Sequence, residues 1–597
     1  QIEADRAVLL TETYRATENE PIITRRAKAF AHILENLPVT IRPDELIVGT
    51  ASRRPRSSQT FPEYSFEWLE QEFDTLATRS ADPFYISEET KAALKEVHRY
   101  WKGKTTSDLA LSAMCPEAVT AIEHSIFTPG NYLYNGIGHV TVSYDRVLTE
   151  GFSGIERSAL QALEALDRTE SDYPARSHFL EAGVTCCRAA VTFARRYAEE
   201  ARRQAEVCTD AARREELRRI AENCARVPEN GAQSFYEACQ SFWFVQLLLQ
   251  IESNGHSISP GRFDQYMYPF YQKDIAGGVL TDDDVVELIE CLRIKIMQFN
   301  FVSGNAKQRD KWAGMARWHN FVIGGVDKDG NDASNELSYL ILRAADEVRT
   351  PQFTITLRVH DKTPEKLMQK ALELVKTGLG MPAFVSDKSY IQGLVDQGVP
   401  LEEARDYALA GCLDLNLPGK SRINALGMFI VPKVLDITMH NGIMRETGER
   451  IGPETGEMRD FKSYEDFEAA FKKQLYYYRE SLKIIKTEEF NVPKYMAHTR
   501  SLQACLLTNY GNTLRECGRV ISAIEQYKDA LGYYPFFPMA MGNLGCCYMQ
   551  YAYLLGYNQE FYRDCLNRHS YLLLNDALES KDPNIYIEGK AYFASQL

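Results

Sequence analysis

The chain has 597 residues and a mass of 68.0 kDa, enough for one large domain with an appendage or for several average domains. Apolar residues make up 45% of the sequence and charged residues 25%, which are ordinary values for soluble globular proteins. The formal net charge of −14 argues against a general nucleic-acid binder, because phosphate neutralisation requires a basic face.

The 13 cysteines are odd in number and irregularly spaced, and neither a signal-peptide pattern nor a long apolar run is visible. We therefore expect reduced thiols in a cytoplasmic protein that does not insert into a membrane. The sequence contains no CxxC pair and no HExxH motif, so no metal site is expected.

The N-terminal part of the chain is predicted to be mainly helical. Apolar residues recur at helical spacing over Arg25–Asn36 and Phe66–Leu76. Ser153–Arg226 is predicted to form long amphipathic helices rich in Ala, Arg and Glu. An apolar segment, Phe235–Ile251, then leads into a glycine-containing loop at Ser253–Arg262.

Short β-rich stretches alternate with helical patterns in the middle of the chain. Asn320–Gly325, Phe353–Val359 and Pro382–Ser386 are predicted strands, and Pro364–Thr377 is a predicted helix. This alternation indicates parallel strands with helical crossovers. Barrels built in this way place functional loops at the ends of their strands.

The pattern changes after residue 490, and residues 491–597 are predicted to be an all-α tetratricopeptide-like region. Asn509-Tyr-Gly511 and Asn543-Leu-Gly545 are related by an offset of 34 residues, the tetratricopeptide period. Five residues match the key positions of this repeat, which are a turn glycine, two small packing residues, an aromatic residue and a terminal proline. They are Gly518, Ala523, Tyr527, Ala530 and Pro535. An ordinary helical hairpin is the alternative. One repeat cannot bury its own face, so it should pack on other parts of the chain or on a protein partner.

A cysteine segment, Ala410–Lys420, is the first of three segments that carry chemically reactive groups. Cys412 lies between Gly411 and a Pro-Gly turn, a context that favours the tip of a tight loop. Asp414, two residues further on, is placed to exchange a proton with the same substrate. Taken alone, this tetrapeptide is a weak signal, and a structural cysteine is the competing interpretation.

The other two segments contribute polar side chains. Glu252–Tyr266, which includes His256 and Ser257, is dense in hydrogen-bonding groups directly after an apolar helix. Such groups must find partners or line a cavity. His139 ends the glycine-rich turn Gly136-Ile-Gly-His139. A lone histidine of this kind is usually structural.

Together, these segments and a series of further motifs resemble the glycyl-radical enzymes of the pyruvate formate-lyase superfamily. The resemblance runs from Arg6 to about residue 480. The matching motifs are Ala7-x-x-x-Thr11-Glu12, Glu45-Leu-Ile-Val-Gly49, Phe61-Pro-Glu63, Trp101-Lys-Gly-Lys104, Gly324-Gly-Val-Asp-x-x-Gly-x-Asp-Ala333, Asn335-Glu-Leu-Ser338, Gly411-Cys412 and Thr447-Gly…Gly452-Pro-x-Thr-Gly456.

The resemblance implies an α/β fold over residues 1–490, a ten-stranded barrel surrounded by helices with a cysteine loop in its interior. It also implies that a backbone glycyl radical takes hydrogen from Cys412, whose thiyl radical then abstracts hydrogen from a small-molecule substrate of anaerobic metabolism. A separate activating enzyme that uses an iron–sulfur cluster and S-adenosylmethionine would install the radical. A homodimer is a further expectation.

The branch of the family is suggested by departures from the dehydratase pattern. Dehydratases of the family have Gly-Cys-x-Glu-Pro and an Asp fourteen residues after the cysteine, where this chain has Asp414, Leu415 and Leu426. His139, His256 and Ser257 match dehydratase substrate-site positions. The expected substrate pocket thus has one polar wall and one apolar wall. Such a pocket favours a carbon–carbon lyase or decarboxylase of a small organic acid, and a dehydratase of a hydroxylated molecule is the alternative. Pyruvate formate-lyase proper is disfavoured because it uses two adjacent cysteines.

The radical glycine of the family lies in an Arg-Val-x-Gly-Tyr/Phe-type loop near the C-terminus, and no such loop occurs between Cys412 and Leu597. Gly589 is the nearest candidate and lacks the Arg-Val approach. An incomplete barrel is therefore expected. The preferred explanation is a fusion or truncated gene model. The alternatives are a separate glycyl-radical protein that supplies the glycine, and a non-catalytic remnant that acts as a repeat-based interaction protein.

Overall fold

The computed structural model describes residues 1–129, 133–169, 172–300, 302, 317–421, 427–481, 507–508, 510–512, 514–515, 519–533, 537–554 and 560–579. The chain divides into two compact units, Gln1–Leu482 and Lys483–Leu597.

Helices make up most of the first unit. They are α1 (Asp5–Ala16), α2 (Ile22–Asn36), α3 (Glu67–Gln71), α4 (Glu88–Trp101), α5 (Thr106–Ser112), α6 (Pro116–Glu123), α7 (Tyr144–Glu164), α8 (Tyr173–Val207), α9 (Ala211–Arg226), α10 (Phe235–Glu252), α11 (Phe263–Tyr266), α12 (Tyr268–Ala276), α13 (Asp282–Ile296), α14 (Glu336–Val348), α15 (Glu365–Lys376), α16 (Asp387–Val395), α17 (Leu401–Arg405), α18 (Val431–Met439) and α19 (Tyr464–Ser481).

The strands of this unit are short. They are β1 (Ile2–Glu3), β2 (Ser58–Gln59), β3 (Phe127–Pro129), β4 (Asn320–Gly324), β5 (Thr354–Val359), β6 (Ala383–Ser386), β7 (Ala408–Ala410), β8 (Asp414–Asn416) and β9 (Gly427–Phe429). β1 pairs with β2 in parallel, and β3 pairs with β9 in an antiparallel manner.

The central sheet is parallel, with β5 between β4 and β6. Two isolated parallel bridges extend it, because Gly261 pairs with Phe321 of β4 and Val140 pairs with Ile258. The backbone therefore runs in the same direction through five neighbouring segments. No closed sheet is present among the described residues, in keeping with the incomplete barrel expected from the sequence.

Helix α10 lies at the centre of the large hydrophobic core, because its apolar side chains cover every face. Two of its polar side chains bind the chain segment just before residue 50. Trp243 Nε1 donates to the Gly49 carbonyl at 3.0 Å, and Gln240 exchanges two hydrogen bonds with the Val48 backbone at 2.8 and 2.9 Å. A helix that is buried in the core and tied to this segment by three hydrogen bonds is a firm support for the loop that follows it.

Most element predictions of the first unit are confirmed. Helices α2, α10 and α15 and strands β4, β5 and β6 lie where the apolar patterns placed them. The stretch Phe66–Leu76 differs, because only Glu67–Gln71 is α-helical and a 3₁₀ turn follows at Leu76–Thr78. In the part of the chain that the structure describes, no helix is both long and apolar enough to cross a membrane.

The described residues of the second unit form three long helices, α20 (Val520–Tyr533), α21 (Pro538–Leu554) and α22 (Glu560–Glu579). α21 packs against both of the others. The predicted small and aromatic positions Ala523, Tyr527 and Ala530 are fully buried. Asn509, Gly518 and Pro535 lie outside the described residues. The tetratricopeptide assignment and the boundary at residue 490 remain predictions.

Candidate active site

Cys412 lies at the tip of a tight hairpin formed by β7 and β8. The strands are antiparallel, and Ala410 pairs with Asp414, which leaves a connection of three residues. Gly411 has φ of 58° and Leu413 has φ of 109°, so the chain reverses through backbone conformations that favour glycine. The thiol side chain of Cys412 is exposed. The predicted placement in a barrel interior is not seen, because the parallel sheet is open among the described residues.

A buried ion pair fixes the base of this hairpin. The Arg358 guanidinium on β5 donates to both Asp387 carboxylate oxygens at 2.7 and 3.0 Å. It also donates to the Tyr407 and Arg405 carbonyls at 3.0 and 2.9 Å, just before β7 begins. Since Arg358 and Asp387 are 0% and 2% exposed, the two charges are protected from water and strongly constrain the strand.

Two glycine-rich loops cross beside the hairpin tip. A Cβ atom on Gly138 would lie 2.0 Å from the His256 carbonyl, and one on Gly255 would lie 1.7 Å from the Ile137 carbonyl. The absence of side chains at both positions allows the backbones to touch. The His139 N–H donates to the His256 carbonyl at 2.9 Å and ties the loops together.

The crossing brings three predicted site residues into one polar chain. His139 Nδ1 is hydrogen-bonded to the Asp414 carboxylate. His139 Nε2 lies 2.9 Å from His256 Nε2, and the two rings are nearly perpendicular at 85°. The nitrogen that faces the carboxylate carries a proton, and a single proton is shared between the two Nε2 atoms. Asp414, His139 and His256 can therefore move a proton along one line.

The surroundings of His256 keep its imidazole neutral. Burial lowers its pKa well below the ordinary value, and the nearby Arg317 guanidinium adds to this effect. Burial likewise lowers the pKa of His319 to about 4. A neutral His256 can accept a proton or pass one on.

Ser257 packs against the hairpin tip. Its side chain is fully buried, its φ is 64°, and its N–H donates to the Arg317 carbonyl at 2.7 Å. A Cβ atom on Gly411 would lie 2.7 Å from Ser257 Oγ and 3.0 Å from His139 Cε1. The hairpin tip therefore lies directly on Ser257 and His139. Leu426, the predicted apolar wall, lies outside the described residues.

Sequence reasoning did not single out Ser259, which links the hairpin to the central sheet. Its Oγ accepts the Gly411 N–H at 3.2 Å and the Asn320 N–H at 3.1 Å. The signal for it was present, since Ser259 belongs to the polar segment Glu252–Tyr266. No group of three or more metal-ligating side chains is assembled in the described ranges.

The structure thus brings the Cys412 hairpin, Asp414, His139 and His256 together, all of which the sequence resemblance singled out. Residues 1–510 match the description "Pyruvate formate lyase-like". The chain belongs to the pyruvate formate lyase-like family. This membership confirms the resemblance seen in the sequence, and the fold is that of the family.

Three relatives show where in the family the similarity lies. The (2S)-3-sulfopropanediol dehydratase of Klebsiella oxytoca is 33% identical over 493 residues, covering 81% of this chain and 59% of the relative. The trans-4-hydroxy-L-proline dehydratase of Clostridioides difficile is 35% identical over 486 residues, covering 80% and 60%. A structure from work on 1,2-propanediol dehydration in Roseburia inulinivorans has a TM-score of 0.78 and 46% identity, covering 81% and 58%. The chain thus spans about three fifths of the length of these relatives.

Proposed function

We propose that this chain carries the thiyl-forming half of a glycyl-radical lyase that eliminates a small leaving group from a hydroxylated organic molecule. The observation that carries the proposal is the Asp414–His139–His256 line directly beside the Cys412 hairpin. Elimination of water requires a hydrogen-atom carrier and a proton carrier at one substrate. The thiol serves as the first and the histidine line as the second.

The access to Cys412 fits a radical donor. The thiol is exposed at a hairpin tip, so a backbone segment can reach it without rearrangement of β7 or β8. A glycyl radical held against this thiol would supply one step, the removal of its hydrogen atom. We propose that this glycine lies in a segment other than residues 412–597, and that a separate radical activating enzyme forms the radical.

The elimination balances with the groups at the site. The Cys412 thiyl takes a hydrogen atom from a carbon that bears a hydroxyl, so an S–H bond forms and a C–H bond breaks. The hydroxyl of the neighbouring carbon leaves as water with a proton from His139. The first hydroxyl loses its proton to Asp414 and its carbon becomes a carbonyl, so the unpaired electron passes to the neighbouring carbon. That carbon then takes the hydrogen atom from the Cys412 thiol, which restores the thiyl radical. The products are one carbonyl compound and water.

Decarboxylation of a small organic acid is the second candidate. Leu415, next to Asp414, is apolar, but it packs against the hydrophobic cluster of β7 on the strand face opposite the carboxylate, so it gives decarboxylation little support. The other apolar residue, Leu426, is known only from the sequence. The polar line that the structure describes favours elimination over decarboxylation.

The test is turnover under anaerobic conditions. The protein is incubated with S-adenosylmethionine, an activating enzyme of the family and a separate glycine-loop protein. Propane-1,2-diol, glycerol, trans-4-hydroxy-L-proline and an arylacetate are then supplied one at a time. We expect an aldehyde or another dehydrated product from a hydroxylated substrate, and a glycyl electron paramagnetic resonance signal before substrate is added.

The matched variants are Cys412→Ser and Cys565→Ser, since both cysteines are exposed. Cys412→Ser should abolish turnover and leave the glycyl signal in place, whereas Cys565→Ser should change neither. If the arylacetate is the only substrate consumed and carbon dioxide is released, the activity is a decarboxylation and not an elimination. Turnover that survives Cys412→Ser would remove the proposal.

A further inference from the structure

The loop that carries His256 and Ser257 begins at the carboxyl end of α10, and two arginines bind this end of the helix. Arg6 on α1 donates from Nε to the Ile251 carbonyl at 2.6 Å and from Nη2 to the Glu252 carbonyl at 3.2 Å. Arg26 on α2 is paired with the Glu252 carboxylate. Cations at a helix C-terminus satisfy its last carbonyls and oppose its partial negative charge.

Arg6 is locked into this position by a second partner. Its guanidinium is 1% exposed and binds Glu63 through two hydrogen bonds at 2.6 and 3.2 Å. Its carbon Cζ lies 3.8 Å from the centre of the Phe61 ring. A bidentate, stacked and buried guanidinium has a single geometry. The end of α10 is therefore held in one place.

Arg26 differs from Arg6 because it reaches the supports of both crossing loops. Beside its pairing with Glu252, its Nη2 donates to the Tyr64 hydroxyl at 2.7 Å. The Tyr64 ring lies under the other loop, where a Cβ atom on Gly136 would be 2.6 Å from it. One side chain thus fixes Glu252, just before the His256 loop, and Tyr64, which supports the His139 loop.

The loops are also joined directly above these supports. Ser253 Oγ donates to the Ile137 carbonyl at 2.8 Å, and the Gly255 N–H donates to Ser253 Oγ at 3.2 Å. A displacement at Glu252 is therefore passed to His256 through only three intervening residues. The distance of 2.9 Å between the two imidazole Nε2 atoms depends on both loops being held at once.

We propose that Arg6 and Arg26 are positioning residues that hold His256 against His139 by fixing the carboxyl end of α10 and the Tyr64 ring. Neither arginine touches the imidazoles, and their effect is exerted through Glu252, Ser253 and Tyr64. The role rests on the proposed function only in so far as the two histidines carry the proton in catalysis.

The charges involved are consistent with a rigid support. Burial opposes the charge on Arg26, but Glu252 and Tyr64 outweigh it and raise the pKa of Arg26. Burial raises the pKa of Glu252 above its ordinary value despite the lowering effect of Arg26. Loss of Arg26 would therefore leave a half-buried carboxylate that has lost its main cation.

The experiment uses the full chain labelled with ¹⁵N in its histidine rings. The signals of His139 and His256 are assigned through His139→Asn and His256→Asn, and the shared Nε2–H proton is followed at one neutral pH. In Arg26→Met we expect the shared-proton signal to be lost and both imidazole signals to shift. The matched control is Arg25→Met, since Arg25 lies on the same helix but binds the Tyr14 carbonyl and the Tyr100 hydroxyl. The control should leave both signals in place.

Two further variants separate positioning from general stability. Arg26→Met combined with Glu252→Gln removes the unpaired carboxylate, so it should recover the melting temperature without restoring the shared-proton signal. Tyr64→Phe removes only the hydroxyl that Arg26 binds and should shift the imidazole signals by a smaller amount. This variant also tests the proposal if Arg26→Met does not fold. In the lyase assay, Arg26→Met should lower kcat by about 10- to 100-fold with little change in KM.

The proposal is overturned if the imidazole signals of Arg26→Met match those of the unaltered chain. It is also overturned if Arg25→Met shifts them equally, or if the double variant restores them. These readouts need no turnover. An inactive protein with the expected signal changes would contradict the proposed lyase and leave the positioning role standing.

Discussion

At the scale of single residues, the hairpin tip depends on a glycine in a crowded left-handed position. Gly411 has φ of 58°, and a Cβ there would meet Ser257 Oγ at 2.7 Å and His139 Cε1 at 3.0 Å. Gly398 has φ of 85° with nothing within 4 Å of its missing Cβ, so Gly398→Ala is a matched control. Both variants should lose about 1 kcal/mol of unfolding free energy from backbone strain.

Only Gly411→Ala should also displace the thiol. We expect it to reduce turnover by at least about tenfold, because misplacement of a reacting group by a fraction of an ångström is costly. Gly398→Ala should keep the activity of the unaltered chain. Urea unfolding and turnover, measured on the same preparations, test the pair. Equal losses of turnover in both variants would show that crowding at the hairpin tip does not affect catalysis.

The carboxylate of Asp414 provides a second prediction at this scale. Asp414→Asn keeps a hydrogen-bond acceptor for His139 Nδ1 but removes the charge that stabilises a protonated ring. We expect kcat to fall by roughly 100-fold, the usual contribution of a positioned acid or base. Asp406→Asn is the control, since Asp406 lies two residues before β7, is largely exposed and pairs with Arg262. A normal kcat in Asp414→Asn would exclude the carboxylate from proton transfer.

At the scale of elements, the β7–β8 hairpin is held by a charged anchor and only secondarily by its own short strands. β7 packs in a small hydrophobic cluster with Val322, Val385 and Tyr407, and the Arg358–Asp387 pair binds the backbone where the hairpin begins. Three residues per strand give little stability alone. The anchor must therefore supply the rigidity that a reactive tip requires.

Removal of one partner of this anchor tests the point. Asp387→Asn leaves the Arg358 charge buried without a counter-ion, and we expect a loss of about 3 kcal/mol in unfolding free energy. Asp283→Asn removes the exposed partner of Arg343, whose loss should cost at most about 0.5 kcal/mol. Chemical denaturation followed by tryptophan fluorescence compares the two. A small effect of Asp387→Asn would show that the hydrophobic cluster alone fixes the hairpin.

The elements that the sequence predicted well are those with long apolar patterns. α10 and β4, β5 and β6 have continuous apolar runs, and such runs are the strongest local signal for buried helices and parallel strands. The strand-like segments at Val140 and Ile258 were not predicted, because each contributes an isolated bridge that leaves no periodicity. β7 and β8 were missed because three residues each are too few to show a period of two, although the loop between them was expected.

At the scale of the whole molecule, the site is assembled from parts of the chain that are far apart in sequence. His139, His256 and Asp414 meet because Gly138 and Gly255 let two backbones touch and because β7 lies against β4. Their residue types and family positions made them candidates. Their hydrogen-bond order did not follow from the sequence, because it depends on the crossing of two distant loops.

The burial of histidines around this crossing makes the stability of the fold dependent on pH. Burial lowers the pKa of His319 to about 4 from 6.5, and its Nδ1 donates to the Ile258 carbonyl at 2.8 Å. Because the folded pKa is the lower one, the unfolded chain binds more protons between these values. The stability contributed by neutral His319 is therefore complete above pH 6.5 and is lost as the pH falls towards 4, by about 3 kcal/mol in total.

His319→Gln tests this dependence, since glutamine retains a donor for the Ile258 carbonyl but cannot be protonated. We expect the unfolding free energy of the unaltered chain to decrease between pH 7 and pH 4.5, and the decrease to be clearly smaller in His319→Gln. His178→Gln, at a partly exposed position of α8, is the control and should follow the unaltered chain. Parallel pH curves for His319→Gln and the unaltered chain would mean that other groups cause the acid sensitivity, and that the imidazole at position 319 is protonated in the folded protein as easily as in the unfolded one.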